Sequence, residues 1–247
     1  MTPGAILTTG GSRGIGAAIA STIAASGRRV AVLSRRRPSP DDQSWAEPAG
    51  QPRVDRVEAD LADARATNAA IRAWRGSIAE PLDGIVLSAV SYGHGPRHPV
   101  LATPLEEWDE VMAVNLRGQF VAVSAVLAEL VARPRAMILS VSSTAALESA
   151  PGRAHYAASK AGALAFFRAL TEELRDTNVS VVQVMPRNQV ATPGLAARRP
   201  PGFSFEGYDP PTVFDAFVRT ALSDLGARFD GALVTVDSDG RWEAARA

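Results

Sequence analysis

The residues whose types and spacing most readily do chemistry lie between Ser143 and Lys160. Tyr156 and Lys160 stand four apart there in a run of helical periodicity, Tyr156-Ala-Ala-Ser-Lys160-Ala-Gly-Ala-Leu-Ala-Phe-Phe. Four apart on a helix is one face and about one turn, so a phenol and an ammonium can reach a common point. Lys160 is also the single lysine among the 26 Lys and Arg residues. Arginine is a wide planar fork of fixed charge, whereas lysine is a compact point charge on a flexible stem. A phenol with an ordinary pKa of about 10 needs a cation beside it to exchange protons readily near neutral pH. The pair therefore fits a proton donor and its activator. It also fits an exposed helical lysine beside a half-buried tyrosine, and the remainder of the chain has to decide between the two.

The elements that would position these groups follow from apolar patterning. Ala5 to Thr9 is a short apolar run ending in Gly10-Gly11-Ser12-Arg13-Gly14-Ile15-Gly16. An alanine-rich helix follows, with Ile15, Ile19 and Ile23 on one face and Gly27 as its stop, and Arg29 to Ser34 reads as a second strand. Strand, glycine turn, helix and strand make a βαβ unit, which implies parallel strands. Residues 36–52 are rich in Pro, Asp, Gln and Ser and read as a surface loop with a poor short helix around Trp45. Further strands are expected over 54–61, 84–90, 136–142, 179–185 and 232–236. Helices are expected from Asp63 to Ile78, along the Phe120, Val123, Val126, Leu127, Leu130, Val131 face, from the residues around Tyr156, and from Asp209 to Gly226. Thr103-Pro104-Leu105-Glu106 has the form of a helix start, a hydroxyl cap followed by proline and then glutamate. No repeat or linker divides the chain. The expectation is an α/β single-domain Rossmann fold over residues 1–247, a doubly wound parallel seven-stranded sheet with helices on both faces.

Within that frame the glycine turn points to a dinucleotide. Gly10 permits a tight bend, Gly14 lets backbone approach a pyrophosphate, and Gly16 lets the helix pack on the strand. The helix N-terminus adds N–H donors and the positive end of its dipole. The second strand selects the cofactor. A carboxylate at its end would accept from a ribose hydroxyl and repel a 2′-phosphate, but this chain has Ser34-Arg35-Arg36 there. Arg35 and Arg13 can hold a phosphate bidentately and Ser34 can donate to it, so the reading is NADP(H). Arg36 and Arg37 fit a solvated basic loop equally well. Asp60 can accept from the adenine amino group and Leu61 can offer its backbone N–H.

Composition removes other classes. Formal net charge is zero, which gives no electrostatic case for nucleic acid or an anionic membrane. Cysteine is absent, excluding disulfides, a thiol nucleophile and cysteine-held metal. His94, His98 and His155 have no metal-ligand spacing, so no metal is expected. No basic segment with an apolar run opens the sequence and no stretch approaches 18 apolar residues, so the protein reads as cytoplasmic.

In order and in register, Thr9-Gly10-x-x-x-Gly14-Ile15-Gly16, Asp60, Asn115, Ser143 and Tyr156-x-x-x-Lys160 resemble the short-chain dehydrogenase/reductase family over nearly the whole chain, in particular its 3-oxoacyl reductase-like ketoreductases. Ser143 lies 13 residues before Tyr156, the family's spacing. The resemblance implies that Tyr156 gives its proton to a carbonyl oxygen as hydride arrives from the nicotinamide. Lys160 would lower the tyrosine pKa and bind the nicotinamide ribose, Ser143 would hold the substrate oxygen, and Asn115 would keep a water that links Lys160 to solvent. It further implies cofactor contacts at Ser88, Ala89, Pro186 and Thr192, and a substrate lid over 193–208. A homodimer or homotetramer would form through helices over 117–132 and 152–176. The substrate would be a small organic carbonyl or alcohol. Departures from the family pattern are Leu87-Ser88-Ala89-Val90, Pro186-Arg187-Asn188-Gln189-Val190-Ala191-Thr192 and Asp237-Ser238-Asp239-Gly240. They point to a specialised pathway. They also motivate an alternative, a cyclase, dehydratase or isomerase using Tyr156 as acid/base without net redox chemistry. Arg187 is open between binding an acidic substrate and facing water.

Overall fold

The computed structural model describes residues 3–35, 54–94, 97–148 and 150–246. The helix expected around Trp45, and Arg36 and Arg37, lie outside the described residues. Continuous aliphatic runs without polar alternation are what parallel strands covered on both faces require. Those runs form β1 (Ala5–Thr9), β2 (Val30–Ser34), β4 (Leu82–Leu87), β5 (Ala136–Val141) and β6 (Val179–Pro186), buried almost end to end. With β3 (Val54–Glu58), β7 (Ala232–Val236) and β8 (Trp242–Arg246) they make one sheet in the order β3-β2-β1-β4-β5-β6-β7-β8. The first seven strands run parallel. The eighth is antiparallel to β7, which corrects the expected seven-stranded, wholly parallel sheet. The short segment Trp-Glu-Ala-Ala-Arg lacks a strand signal of its own. It pairs because Asp237-Ser-Asp-Gly turns the chain back, the Asp237 Oδ1 accepting from Asp239 N and Arg241 N at 3.0 and 2.9 Å.

Helices cover both faces. On one, α1 (Gly14–Ala25) and α7 (Asp215–Asp224) bury Ile19, Ile23, Phe217 and Val218 against Ile6, Val86, Leu139 and Val184. On the other, α2 (Ala64–Ser77), α4 (Gly118–Val131) and α5 (Ala154–Glu173) bury Ile71, Val123, Val126 and Phe167 against Leu7, Leu33, Ile85 and Ile138. α7 starts later than expected because Pro210 and Pro211 hold a 3-10 turn over Pro211–Phe214. α3 (Leu105–Met112) starts at Leu105 with Pro104 as its cap position, and the Thr103 hydroxyl donates back to Pro99 O at 3.2 Å instead of capping. α3 and α4 join through a π-helical turn, Ala113–Arg117. The joined run, Leu105–Val131, is long and apolar enough to cross a membrane by length and composition. Half of its most apolar stretch is buried in the domain, because one face must pack on the sheet. The strand order reverses between β1 and β4, opening a crevice beyond their C-terminal ends where open α/β sheets bind ligands.

The opposite end of those strands is pinned by Asp83. Its carboxylate, 5% exposed, accepts from Gly4 N (2.7 Å), Arg28 Nη1 (2.6 Å) and Arg133 Nη2 (2.8 Å). Burial pushes this carboxyl up, but the bonds from Arg28, Gly4 and Arg133 outweigh it and hold it below the usual range. A carboxyl with a depressed folded pKa stabilises the fold above its unfolded value, and that contribution disappears as pH falls through the folded value. Asp83→Asn, which leaves two arginines without their anion, should cost about 3 kcal/mol at pH 7. The gap to wild type should shrink as pH drops below about 4. Urea unfolding across pH checks both; a gap independent of pH would contradict the assignment.

Candidate active site

The chain leaves β5 at Val141 and turns through Ser143, whose Oγ accepts from Ala145 N at 3.2 Å and starts a 3-10 turn. It then enters α5, where Tyr156 and Lys160 face inward, 5% and 4% exposed. Lysine is almost never so buried without a partner. Its Nζ donates to Val141 O at 3.0 Å. The exposed-lysine alternative is therefore excluded. Ser143 lowers the proton affinity of the Tyr156 phenol, while Lys160 Nζ is held at the end of the same strand, β5.

Burial sets the proton affinities. Tyr156 is raised above the ordinary phenol, chiefly by burial and by Tyr92, against the Ser143 bond and the Arg153 charge. Burial also brings Lys160 down to about 8. Both charged forms are penalised because the pair lies out of water. The dominant influence on the tyrosine is thus desolvation and not the lysine cation.

Asn115 is fully buried in the π-helical turn. Its Oδ1 accepts from Ser91 N (2.7 Å), and its Nδ2 donates to Ser91 O (2.8 Å) and Ser159 Oγ (3.0 Å). It thereby ties the loop after β4 to α5 one residue before Lys160. The irregular turn frees backbone groups, and the Asn115 carbonyl accepts from Gln119 Nε2 at 2.7 Å.

The glycine turn sits against the same loop. Gly10 has φ +69°, and a Cβ there would lie 2.5 Å from the Ala89 Cα. A Cβ on Gly16 would run into the Gly10 carbonyl oxygen, so helix and turn touch backbone to backbone. A Cβ on Gly14 would meet Thr192 at 3.2 Å, which brings the segment after Pro186 over the turn. α1 has no side-chain cap and no acidic residue in its first turn. Gly10, Ser12, Arg13 and Ile15 are the turn's partly or fully exposed residues. Ser88 N donates to Thr9 O at 3.3 Å and holds the floor. This uncapped helix end and its side-chain-free cradle fit the pyrophosphate of a dinucleotide. Val90, in the loop after β4, is 36% exposed.

Farther along the crevice, Ser34 ends β2 and Arg35 lies 3.7 Å from Asp60, both partly in water. Asp60 Oδ1 also accepts from Ala62 N at 2.9 Å, and Leu61 is buried. Arg13 reaches the segment after Pro186. Its Nη2 lies 3.9 Å from a Cβ built on Gly194, in α6 (Pro193–Ala196), which Thr192 caps. Arg187, its side chain 55% exposed, faces water and donates to Glu243 Oε2 at 2.8 Å across to β8. His94 pairs with Glu110 at the surface. His155 is buried and faces Glu107 at 3.4 Å, turned away from the tyrosine as adjacent helix positions require.

Sequence reasoning missed Tyr92. Its ring centroid lies 5.0 Å from that of Tyr156, with the two rings tilted by 31°. It follows β4 by five residues in a loop without periodicity, so only the fold reveals the contact.

A doubly wound sheet with a glycine cradle at its switch point and a buried Ser-Tyr-Lys set beside it defines a Rossmann-fold oxidoreductase acting on an alcohol or carbonyl. The short chain dehydrogenase family profile matches residues 4–200, and the chain belongs to that family. It is 33% identical over 190 residues to a 2-(R)-hydroxypropyl-CoM dehydrogenase of Xanthobacter autotrophicus, covering 76% of this chain and 74% of that one. It is 32% identical over 181 residues to a 3-oxoacyl-[acyl-carrier-protein] reductase of Synechocystis sp., covering 73% and 72%. A short chain dehydrogenase from Burkholderia cenocepacia, solved with NADP, superposes with TM-score 0.80 at 26% identity, covering 96% of this chain and 97% of that one.

The buried lysine has a consequence for stability. With its folded pKa at about 8, it binds fewer protons than the unfolded chain between that value and the ordinary 10.5, so stability rises with pH across that window. Lys160→Met should therefore stabilise the fold at pH 7 by about 3 kcal/mol while removing activity, and the advantage should fade above pH 8. Urea unfolding between neutral pH and pH 10 reads it. A variant less stable than wild type at every pH would contradict it.

Proposed function

We propose that this chain is an NADPH-dependent ketoreductase of small organic carbonyls, with Tyr156 as proton donor. The observation that carries the reading is the buried Tyr156, with Ser143 acting on its phenol and Lys160 buried one turn on, at the end of β5 beside the crevice where the strand order reverses. Bound there, the cofactor supplies hydride to the carbonyl carbon. The backbone of Gly10, Ser12, Arg13, Gly14, Ile15 and Gly16, with the α1 N-terminus, holds its pyrophosphate. Ser34 and Arg35 hold the 2′-phosphate, for which the half-exposed Arg35–Asp60 contact is a weak competitor. Asp60 and Leu61 take the adenine, Ser88 and Ala89 form the floor, and Pro186 and Thr192 border the carboxamide. Tyr156 and Lys160 take the nicotinamide ribose.

Ser143 donates to the substrate oxygen and stabilises charge that develops on it. Burial keeps the Tyr156 phenol protonated at neutral pH, the form that a donor needs for reduction. Lys160, brought down to about 8, is charged at pH 7 yet gives up a proton at small cost, which suits resupply of the tyrosine. Asn115 positions Ser91 and Ser159 around it. The substituted stretches at Val90 and Arg187 support a specialised pathway, and dependence on the soluble nicotinamide pool supports the cytoplasm.

The reading includes self-association through α4 and α5. Phe120, 54% exposed, stacks edge-on with Phe166 at 6.0 Å on that face. Light scattering should show Phe120→Glu as a monomer where wild type is a dimer or tetramer; an unchanged mass would rule out this face.

For the chemistry, Tyr156→Phe should lower kcat for ketone-dependent NADPH oxidation by about 10² to 10⁴ while leaving NADPH affinity within a few-fold. Arg35→Ala should weaken NADPH binding by about tenfold or more and leave NADH unchanged, as read by nicotinamide fluorescence. Full turnover in Tyr156→Phe, or equal loss of both nucleotides in Arg35→Ala, would overturn the respective assignment.

A further inference from the structure

The mouth of the site is lined by arginine. Arg153 immediately precedes α5, one turn before Tyr156. Arg97 packs against Gly152, its Cβ only 2.8 Å from a Cβ built there. Arg198, in the lid, donates to Gly93 O and, at 3.2 Å, to Tyr92 O, and its guanidinium carbon lies 5.7 Å from the Tyr92 ring centroid. Arg199 lies over Phe203 at 4.6 Å and donates to the Tyr208 hydroxyl at 3.2 Å. Its Nε is buried with no hydrogen-bond partner.

These cations crowd one another. Burial and repulsion by Arg97 and Arg199 hold the Arg153 guanidinium below its ordinary value, while the Tyr156 and Tyr92 phenols pull the other way. Two carboxylates pack near this loop and both are engaged: Glu107 is buried and faces His155, and Glu110 accepts from Ser91 Oγ at 2.9 Å and pairs with His94. α5 adds the positive end of its dipole with no acidic residue in its first turn and no side-chain cap. A buried, unsatisfied guanidinium nitrogen beside a desolvated and repelled second arginine is costly in a protein of zero net charge. An anion entering between them would satisfy both, and guanidinium forks are suited to a carboxylate or a similar planar or tripodal acid.

We propose that the substrate of this site carries an anionic group, seated between Arg153 and Arg199 with Tyr92 at its side, while its carbonyl lies at Tyr156 and Ser143. The inference rests on Tyr156 marking the reacting centre. It fixes the orientation of the substrate, with the charged end toward the lid and the α5 N-terminus and the reducible end toward the glycine cradle. Arg198 serves as a positioning residue, holding Tyr92 and Gly93 to the lid.

The test is equilibrium binding of levulinate and of its methyl ester, a pair differing in the charge, to the NADP+-loaded and the cofactor-free protein by calorimetry, the oxidised cofactor preventing turnover of the ketone. Levulinate should bind at least about tenfold more tightly than the ester. Arg153→Gln and Arg199→Gln should each remove most of that preference, with ester binding, circular dichroism and NADPH fluorescence unchanged. Equal binding of acid and ester, binding of neither, or a preference that survives both substitutions would overturn the anionic subsite. None of those results touches the oxidoreductase reading, which fails instead if nicotinamide fluorescence shows no NADPH binding while levulinate still discriminates.

Discussion

The structure depends on keeping a lysine ammonium and a tyrosine phenol out of water at the end of β5, beside the crevice where the strand order reverses. Desolvation opposes the charged form of each, pushing Tyr156 up and Lys160 down to about 8. Such a site is unstable unless its remaining polar atoms are paired. The pairing is supplied from three directions, by Val141 O at the end of β5, by Ser143 just beyond it, and by the Asn115–Ser91–Ser159 knot. The knot needs the π-helical turn, because a regular helix would not free Asn115 to bridge the β4 loop and α5. Gln119 extends the network to Ser140 on β5.

The same economy of space governs the cradle. Gly10, Gly14 and Gly16 lie against Ala89, Thr192 and the Gly10 carbonyl, so backbone from the β1, β4 and β6 ends converges where a pyrophosphate would lie. Asp83 does the opposite job at the far end of β4. Its two arginines and the Gly4 amide hold the strand starts together, leaving the strand ends to be shaped by function.

Much of this was legible in the residues. Continuous aliphatic runs announced the parallel strands, the glycine spacing announced the turn, and the helix carrying Tyr156 and Lys160 lies where periodicity put it, with both side chains buried. What escaped has a common physical cause, namely contacts decided by tertiary placement. β8 has no intrinsic strand signal and exists because Asp237 closes a turn. Thr103 looked like a cap, but Pro99 O was the nearer partner. Arg187 was open between substrate and water, and it faces water, paired with Glu243 of a strand that the pattern did not announce. Phe120 and Val131 fell on the expected core face and are exposed, because α4 turns that edge away from the sheet. Tyr92 sat in an aperiodic loop, and its place beside the Tyr156 ring emerges only once Asn115 folds that loop over α5.

The account's central claim is that the buried set works with a transferred hydride and not as an acid/base pair alone. A single-turnover reaction answers it, run with NADPH deuterated at the nicotinamide C4, each isotopomer in turn, and read by mass spectrometry of the alcohol. The account predicts that one isotopomer delivers its deuterium to the carbinol carbon and the other does not. Substrate consumed with deuterium arriving from neither would contradict it and leave Tyr156 an acid/base without redox chemistry.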